Sequence, residues 1–379
     1  MNHIARPLLP DNEALLAITR ALAAQAGRVD REARFPADNI ALLRQAGLLA
    51  LTVPRHYGGL GGGLSDAVRV LGAVAEGCAS TALILAMQLF KIASLARSDH
   101  FPEPVIARVM TEAVRDGGLI NALRVEPELG SPTRGGMPAT VLRRAGDGWA
   151  LSGHKIFSTG APGLRWMSVW ARRGDLVGYA LVRADAPGIR IIETWDHIGM
   201  RATCSHDVVF DDVPVEPGHV ALKPPADWPR SDPEQMTWNA TGVGAVYTGI
   251  ARAARDWTAQ FLRDRVPTGL GAPLATLPRM QEKMGEVEML LAVNARLIAS
   301  VASDTDRGTP PPPSESGLIK AAVTDNAIRA VEVAASLAGN HAHARANAIE
   351  RHIRDVRSGR VQAPQADAVF VAAGRAVLA

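Results

Sequence analysis

The sequence is poor in several of the residues that build common sites. Its 379 residues include two cysteines, Cys78 and Cys204, and no C-x-x-C. That excludes a disulfide framework and a four-thiolate zinc site, and it fits a reducing compartment. Charge of one sign is also missing. Lys and Arg number 41 against 38 Asp and Glu, a formal charge of +3, and no five like charges stand together. A nucleic-acid-binding arm is thereby excluded, and strong polyanion binding has no dedicated face. Met1 to Asn12 carries His, Arg, Asp and two Pro where a secretory signal needs an unbroken apolar core. The longest apolar stretch, Ala82 to Ala96, is interrupted by Gln88 and Lys91 and falls short of the roughly 20 residues that span a bilayer. A soluble cytoplasmic protein is expected. Catalytic signatures are sparse as well: there is no G-x-S-x-G elbow, no H-E-x-x-H and no P-loop. His341, His343 and His352 do not complete a metal site, so no metal is expected. Asp304 and Asp306 read as a solvated turn rather than a calcium loop.

What is present is ordinary globular composition, 47% hydrophobic and 21% charged, in a chain long enough for two or three domains of about 150 residues. The texture changes twice. From Asn12 to about Gly118 the chain is rich in Ala and Leu at helical spacing. Within it, Val53 to Gly63 ends in a glycine run that reads as a tight connection between helices rather than a phosphate cradle. From Leu119 to Leu222 short β-rich runs take over: Trp149 to Phe157, Trp166 to Arg172, Val177 to Arg183 and Asp207 to Phe210, with Arg173-Gly174-Asp175 as a hairpin loop. After a proline-rich link from Lys223 to Pro229, helical stripes return. Val246, Ile250, Ala253, Trp257 and Phe261 share one face, Met280, Met284, Val287 and Leu291 share the face of the next helix, and both stripes are read as core. Prolines between Thr309 and Pro313 divide two long helices, and Leu318 to Gly339 reads as a helix closed by a C-cap glycine. The expectation is a mainly α chain with a central β domain, divided at residues 1–118, 119–222 and 223–379.

Several strings stand out in this frame: Phe35-Pro36, Gly47-Leu48 and Val53-Pro54 with Tyr57-Gly58-Gly59; Glu126-Pro127 with Gly130-Ser131; Gly153 to Ala161; Ile198 to Val215; and Asn347 to Arg357. Together and in this order they resemble the acyl-CoA dehydrogenase superfamily over nearly the whole chain. The resemblance implies an N-terminal helical domain, a middle β-barrel-like domain and a C-terminal four-helix bundle, assembled as a homodimer or homotetramer. It also implies a flavin between the β domain and the bundle: FAD, with FMN the alternative. Carried over position by position, it sets Phe157 against the isoalloxazine and the Thr159 hydroxyl within hydrogen-bonding reach of it. Gly130 and Ser131 fall in a loop near the flavin, and Ala338-Gly339 at a turn that approaches the cofactor of a neighbouring subunit. Arg265 falls where an arginine pairs with FAD pyrophosphate across the dimer, a task suited to a bidentate fork. Val266-Pro267-Thr268-Gly269 follows it where the family has Phe-Gly, and Gln281 falls at a glutamine of the next helix.

The chemistry is where this sequence departs from that resemblance. A dehydrogenase of the family needs a Glu to take the α-proton of an acyl thioester while hydride leaves the β-carbon. Counting from Arg354-Asp355, one family location of the base falls on Ala363 and the other near Asn239, and neither accepts a proton. A branch of the superfamily that uses reduced flavin and O2 often follows Arg-Asp with a His and then Pro. Pro364-Gln365 resembles that branch, but Gln362 occupies the place of the His, and Gln does not titrate. The favoured expectation is a monooxygenase-type flavin oxidoreductase, because oxygen activation is chemistry of the flavin itself. The alternatives are an FAD-dependent acyl-CoA dehydrogenase whose base lies elsewhere, at Glu126, Asp367 or a His, and a catalytically silent flavin-binding protein. The implied partners are an acyl-CoA or other small-molecule substrate and a flavin reductase or electron-transfer protein, with no nucleic acid and no membrane.

Overall fold

Capping and amphipathic spacing start the chain as helices. The computed structural model describes residues 9–129, 136–228, 232 and 234–379. Helix α1 (Asn12–Glu32) begins at Asp11, whose side chain accepts the Ala14 N–H, and buries the stripe Leu15, Ile18, Leu22, Ala26 and Val29. Then come α2 (Ala37–Gln45), α3 (Leu64–Gly77), α4 (Ala79–Arg97) and α5 (Glu103–Asp116). The glycine run before α3 is a tight connection. Gly58 and Gly61 take φ of 90° and 64°, and a Cβ on Gly59 would lie 2.1 Å from the Val53 carbonyl oxygen, so glycine is required there. Asp306 is not in a solvated turn as expected: it accepts the Leu64 and Ser65 N–H groups at 2.6 and 2.9 Å and caps α3 from across the molecule. Gly63 has no side chain for that task, which leaves the position open to a distant carboxylate. Helix α4 runs on to Arg97 and reaches 19 residues, so among the described residues it is the one helix long and apolar enough to cross a membrane. Yet 89% of that stretch is buried inside the protein, which makes it a core helix.

The middle of the chain folds as one eight-stranded sheet. Its strands are β1 (Leu119–Leu123), β2 (Val141–Ala145), β3 (Gly148–Lys155), β4 (Leu164–Arg173), β5 (Leu176–Arg183), β6 (Ile189–Ile192), β7 (Asp207–Val215) and β8 (Val220–Lys223). They pair in the order β6-β7-β3-β2-β4-β5-β8, with β1 added to β4. β1 and the start of β2 lie parallel to successive lengths of β4, while the other pairs are antiparallel. The strand expected to run to Phe157 stops at Lys155, because Phe157 adopts a φ of 56° that breaks the pleat.

Helices α6 (Gln235–Asp264), α7 (Pro278–Asp306), α8 (Pro313–Ala338), α9 (Ala348–Arg357) and α10 (Ala366–Leu378) complete the chain. Val246, Ile250, Val287 and Leu291 are core as expected, but Ala253, Trp257, Phe261, Met280 and Met284 are only half-buried. Trp257 and Phe261 stack on each other near the end of α6, and Met280 and Met284 lie in the first turns of α7. Two of the strings singled out in the sequence meet between sheet and bundle. The Met200 N–H donates to Asp355 at 2.6 Å, and Arg354 donates to the Ile198 carbonyl at 2.7 Å and to both oxygens of Asp30 in α1. A Cβ on Gly199 would lie 2.4 Å from the Arg354 carbonyl. Arg354-Asp355 is therefore a clamp joining α1, the sheet and α9, and burial pushes the Asp355 carboxyl up to about 6.

Candidate active site

A cleft of about 210 Å3 opens between the sheet and α6. On the sheet side stands Phe157, whose φ places a non-glycine residue in a region that costs roughly 1–3 kcal/mol. Its ring lines the cleft and is 53% exposed, edge-on to Trp195 and His197 at centroid distances of 6.3 and 6.2 Å. Behind it lies a row of hydroxyls. Thr159, 9% exposed, shares a hydrogen bond with Ser205 at 2.9 Å, and Ser205 shares one with Thr203 at 2.8 Å. Asn121 donates to the Thr159 carbonyl, and the Ser158 hydroxyl is buried with no partner among the described residues.

On the side of α6 and the segment after α9 the described lining residues carry no charge. Asn239, on α6, accepts from Gln235 one turn earlier at 2.8 Å, and both line the cleft. Gln362 and Ala363 enter it from the segment after α9. Lys320 of α8 fixes that segment, donating to the carbonyls of Gly359 and Gln362 at 2.8 and 2.7 Å. Burial pushes the Lys320 amine down to about 8. The cleft thus unites Phe157 with Asn239, Gln362 and Ala363, and among the described residues no Asp, Glu or His lines it.

Glu126 lies elsewhere. It is buried, pairs with Lys155 at 2.6 Å, and also accepts from the Ala139 and Thr140 N–H groups and the Thr140 hydroxyl. Burial alone would raise its pKa, but the bonds from Lys155 and Thr140 outweigh it and hold the carboxyl below the usual range. Both of its oxygens are engaged and it is not among the residues that line the cleft, an arrangement that suits a structural anchor. Asp367 is exposed in the first turn of α10 and is not among the residues that line the cleft. His197 stacks on Trp195 beside Phe157 with an imidazole pushed below its usual value by burial.

The other residues singled out from the sequence gather at the far end of the bundle. At 1.5 Å per residue along α6, Arg265 lies about 39 Å from Asn239. It lines a separate cleft of about 310 Å3 with Trp257, Gln260, Phe261 and Asp264. Ala338 is buried and Gly339 turns with φ 56°, while His341 just beyond lies 5.1 Å from the Phe261 ring. Gln281 is exposed and donates to the Ala275 carbonyl at 3.0 Å. Gly130 and Ser131 lie outside the described residues.

Three family models cover most of the chain: the acyl-CoA dehydrogenase N-terminal domain at residues 14–98, the middle domain at 124–213 and the C-terminal domain at 231–363. YdbM of Bacillus subtilis (strain 168), named only provisionally as an acyl-CoA dehydrogenase, is 37% identical over 347 residues, 90% of this chain and 89% of that one. This chain belongs to the acyl-CoA dehydrogenase family. Among acyl-CoA dehydrogenase relatives of other chemistry, the L-evernosamine nitrososynthase of a Micromonospora species is 30% identical over 377 residues, 94% of this chain and 87% of that one. The crystal structure of KijD3 with FMN and a dTDP-linked amino-keto sugar matches with a TM-score of 0.77 and 28% identity, covering 96% of this chain and 92% of that one. As a flavoprotein oxidoreductase of this family the chain has residues that fit a flavin: an exposed ring lining the cleft, the hydroxyls of Thr159, Ser205 and Thr203, and a buried Ser158 hydroxyl with no partner among the described residues.

Sequence reasoning missed Lys91, Arg124 and Tyr179, which also line the cleft, and Lys320 behind it. For Lys91 the signal was present, as a charge in the middle of an otherwise apolar helix.

Proposed function

We propose that this family member is an O2-using, monooxygenase-type flavin enzyme rather than a desaturating dehydrogenase. One observation carries the reading: no described carboxylate lines the cleft that Asn239 and Ala363, the positions where the resemblance puts the family's Glu base, share with Phe157. Proton abstraction needs a base within hydrogen-bond reach of the carbon acid, and no described Asp, Glu or His lines the cleft. A bound flavin supplies the redox and oxygen chemistry itself. The chain's residues then bind and orient. Phe157 offers an apolar face, and the Thr159 and Ser158 hydroxyls offer polar contacts. The Asn239 and Gln362 amides donate and accept at the substrate without exchanging protons, and Lys320 holds the Gln362 backbone in place. The kinship with L-evernosamine nitrososynthase and the FMN in KijD3 support the reading.

The proposed cofactor is FAD, with FMN as the alternative. Arg265, Ala338 and Gly339 at the far end suit the pyrophosphate of an FAD held by a second copy in a homodimer or homotetramer, since in one chain they are too distant from Phe157. A flavin reductase is the implied electron source.

Anaerobic addition of butyryl-CoA or hexanoyl-CoA to the FAD-loaded protein should leave the flavin yellow; bleaching would overturn the reading. Mixing the reduced, flavin-loaded protein with O2 should restore the oxidised spectrum in two resolved phases, and a single phase at the rate of free reduced flavin would count against it. The dehydrogenase reading has the 37% identity to YdbM in its favour, and it predicts the bleaching.

A further inference from the structure

Nothing in the proposed flavin chemistry requires cations at the floor of the cleft, yet two are there. Lys91, in the middle of α4, is 7% exposed and lines the cleft. It makes no hydrogen bond or ion pair with a described residue; its neighbour is the Tyr179 ring, with Nζ 4.4 Å from the centroid. Arg124, just past β1, lines the same cleft with its guanidinium 5.3 Å from the Trp170 ring centre and its Nε buried with no hydrogen-bond partner among the described residues. Trp170 and Tyr179 are a cross-strand pair of β4 and β5 with rings 4.8 Å apart, so the two cations sit over adjoining rings. The nearest countercharge is Asp232, which accepts from Ser94 at 2.7 Å and from Arg97 at 3.0 Å. Burial pushes the Lys91 amine down to about 8, with Arg124 adding to the effect and Asp232 opposing it.

A buried ammonium without a counterion is among the costliest groups a fold can hold. A ring face offsets only part of that cost. An anion entering the cleft would complete it, taking a hydrogen bond from Nζ and another from the orphaned Nε. The remaining lining near these groups, Phe90, Val243 and the Tyr179 ring, is apolar or aromatic.

We propose that Lys91 and Arg124 form an anion-accepting floor, and that the substrate is a small organic acid whose carboxylate docks there while its apolar body fills the cleft toward Phe157. The proposal rests on the proposed function for the reacting end near Phe157, whereas the floor itself is tested without turnover.

The FAD-loaded protein is titrated with benzoate and hexanoate and with their neutral isosteres benzamide and hexanamide, following both the flavin spectrum and the heat of binding. Wild type should prefer each acid over its amide by about tenfold or more, the range expected of charge-assisted hydrogen bonds. Lys91→Met, which keeps the stem and removes the charge, should reduce the preference to within about twofold, the residue of an ordinary neutral contact. Arg124→Gln should fall between, and both variants should retain flavin. Lys91→Gln repeats the test if the Met variant fails to fold. Equal binding of acid and amide, a preference that survives both substitutions, or no saturable binding of either acid overturns the proposal. If wild type binds no flavin, the proposed function fails instead, and the heats still report on the floor.

Discussion

Two buried lysines, one in the sheet and one at the cleft floor, show how differently a fold can treat the same group. Each has its amine pushed down to about 8 by burial. At the end of β3, Lys155 is fully buried against Glu126, whose carboxylate is further satisfied by Thr140 and two backbone N–H groups. At the floor of the cleft, Lys91 meets a ring face and another cation's field. Burial of a charge therefore does not itself mark function. The fold has completed one lysine and left the other open, and an open one facing a cleft is a place for a ligand. Lys320 stands between them: it is satisfied by two carbonyls, but those carbonyls belong to the segment that brings Gln362 into the cleft.

The comparison is broken or sharpened most strongly by Lys155→Met. It strands Glu126 as an unpaired buried carboxylate, a loss of about 3–5 kcal/mol that lowers the melting temperature by about 10 °C. Lys91→Met strands nothing. Its melting temperature should equal or exceed wild type, and equal losses in both variants would dissolve the distinction. Because the folded Lys91 pKa lies below its ordinary 10.5, the unfolded chain binds more protons between about 8 and 10.5, and wild type gains stability across that range. The advantage of Lys91→Met is therefore fully present below pH 8 and shrinks as pH rises through that window, as denaturant midpoints at several pH values would show. Benzoate affinity should likewise hold steady at neutral pH and weaken as pH passes about 8 in wild type, with no such bend in Lys91→Met. Lys320→Met leaves two carbonyls without a donor, for a loss of about 1–3 kcal/mol, and should slow turnover while flavin is retained. The smallest effect belongs to Thr159→Val, which removes a hydroxyl worth about 1 kcal/mol. Flavin retention measured by dialysis should weaken several-fold, and unchanged retention would refute the placement of Thr159.

Much of the layout is legible in one dimension because helical and alternating apolar periods change near Gly118 and again after Leu222. The glycine run before α3 declares its own tightness, since glycines tolerate the positive φ it needs. Other features depend on groups far apart in sequence. Asp306 looks like a turn residue until α3 is folded beside it. Arg354-Asp355 looks like a catalytic landmark until Met200 and Asp30 arrive to make it a clamp. Phe157 reads as the last residue of a strand, because its positive φ follows from tertiary context and not from its identity. Lys91 reads as a flaw in an apolar stretch, and only the approach of Tyr179 and Arg124 shows that it faces a cleft. The absence of a carboxylate at Asn239 and Ala363, where the resemblance puts the family's base, is by contrast legible in the sequence alone.

The most direct test joins the cleft's floor to its missing base. Glutaryl-CoA, an acyl thioester ending in a carboxylate, is added anaerobically to the FAD-loaded protein and the flavin spectrum is followed in wild type and Lys91→Met. The account predicts a saturable spectral perturbation that depends on Lys91 and leaves the flavin oxidised. Bleaching of the flavin would contradict it, by revealing a proton acceptor in a cleft that this account says has none.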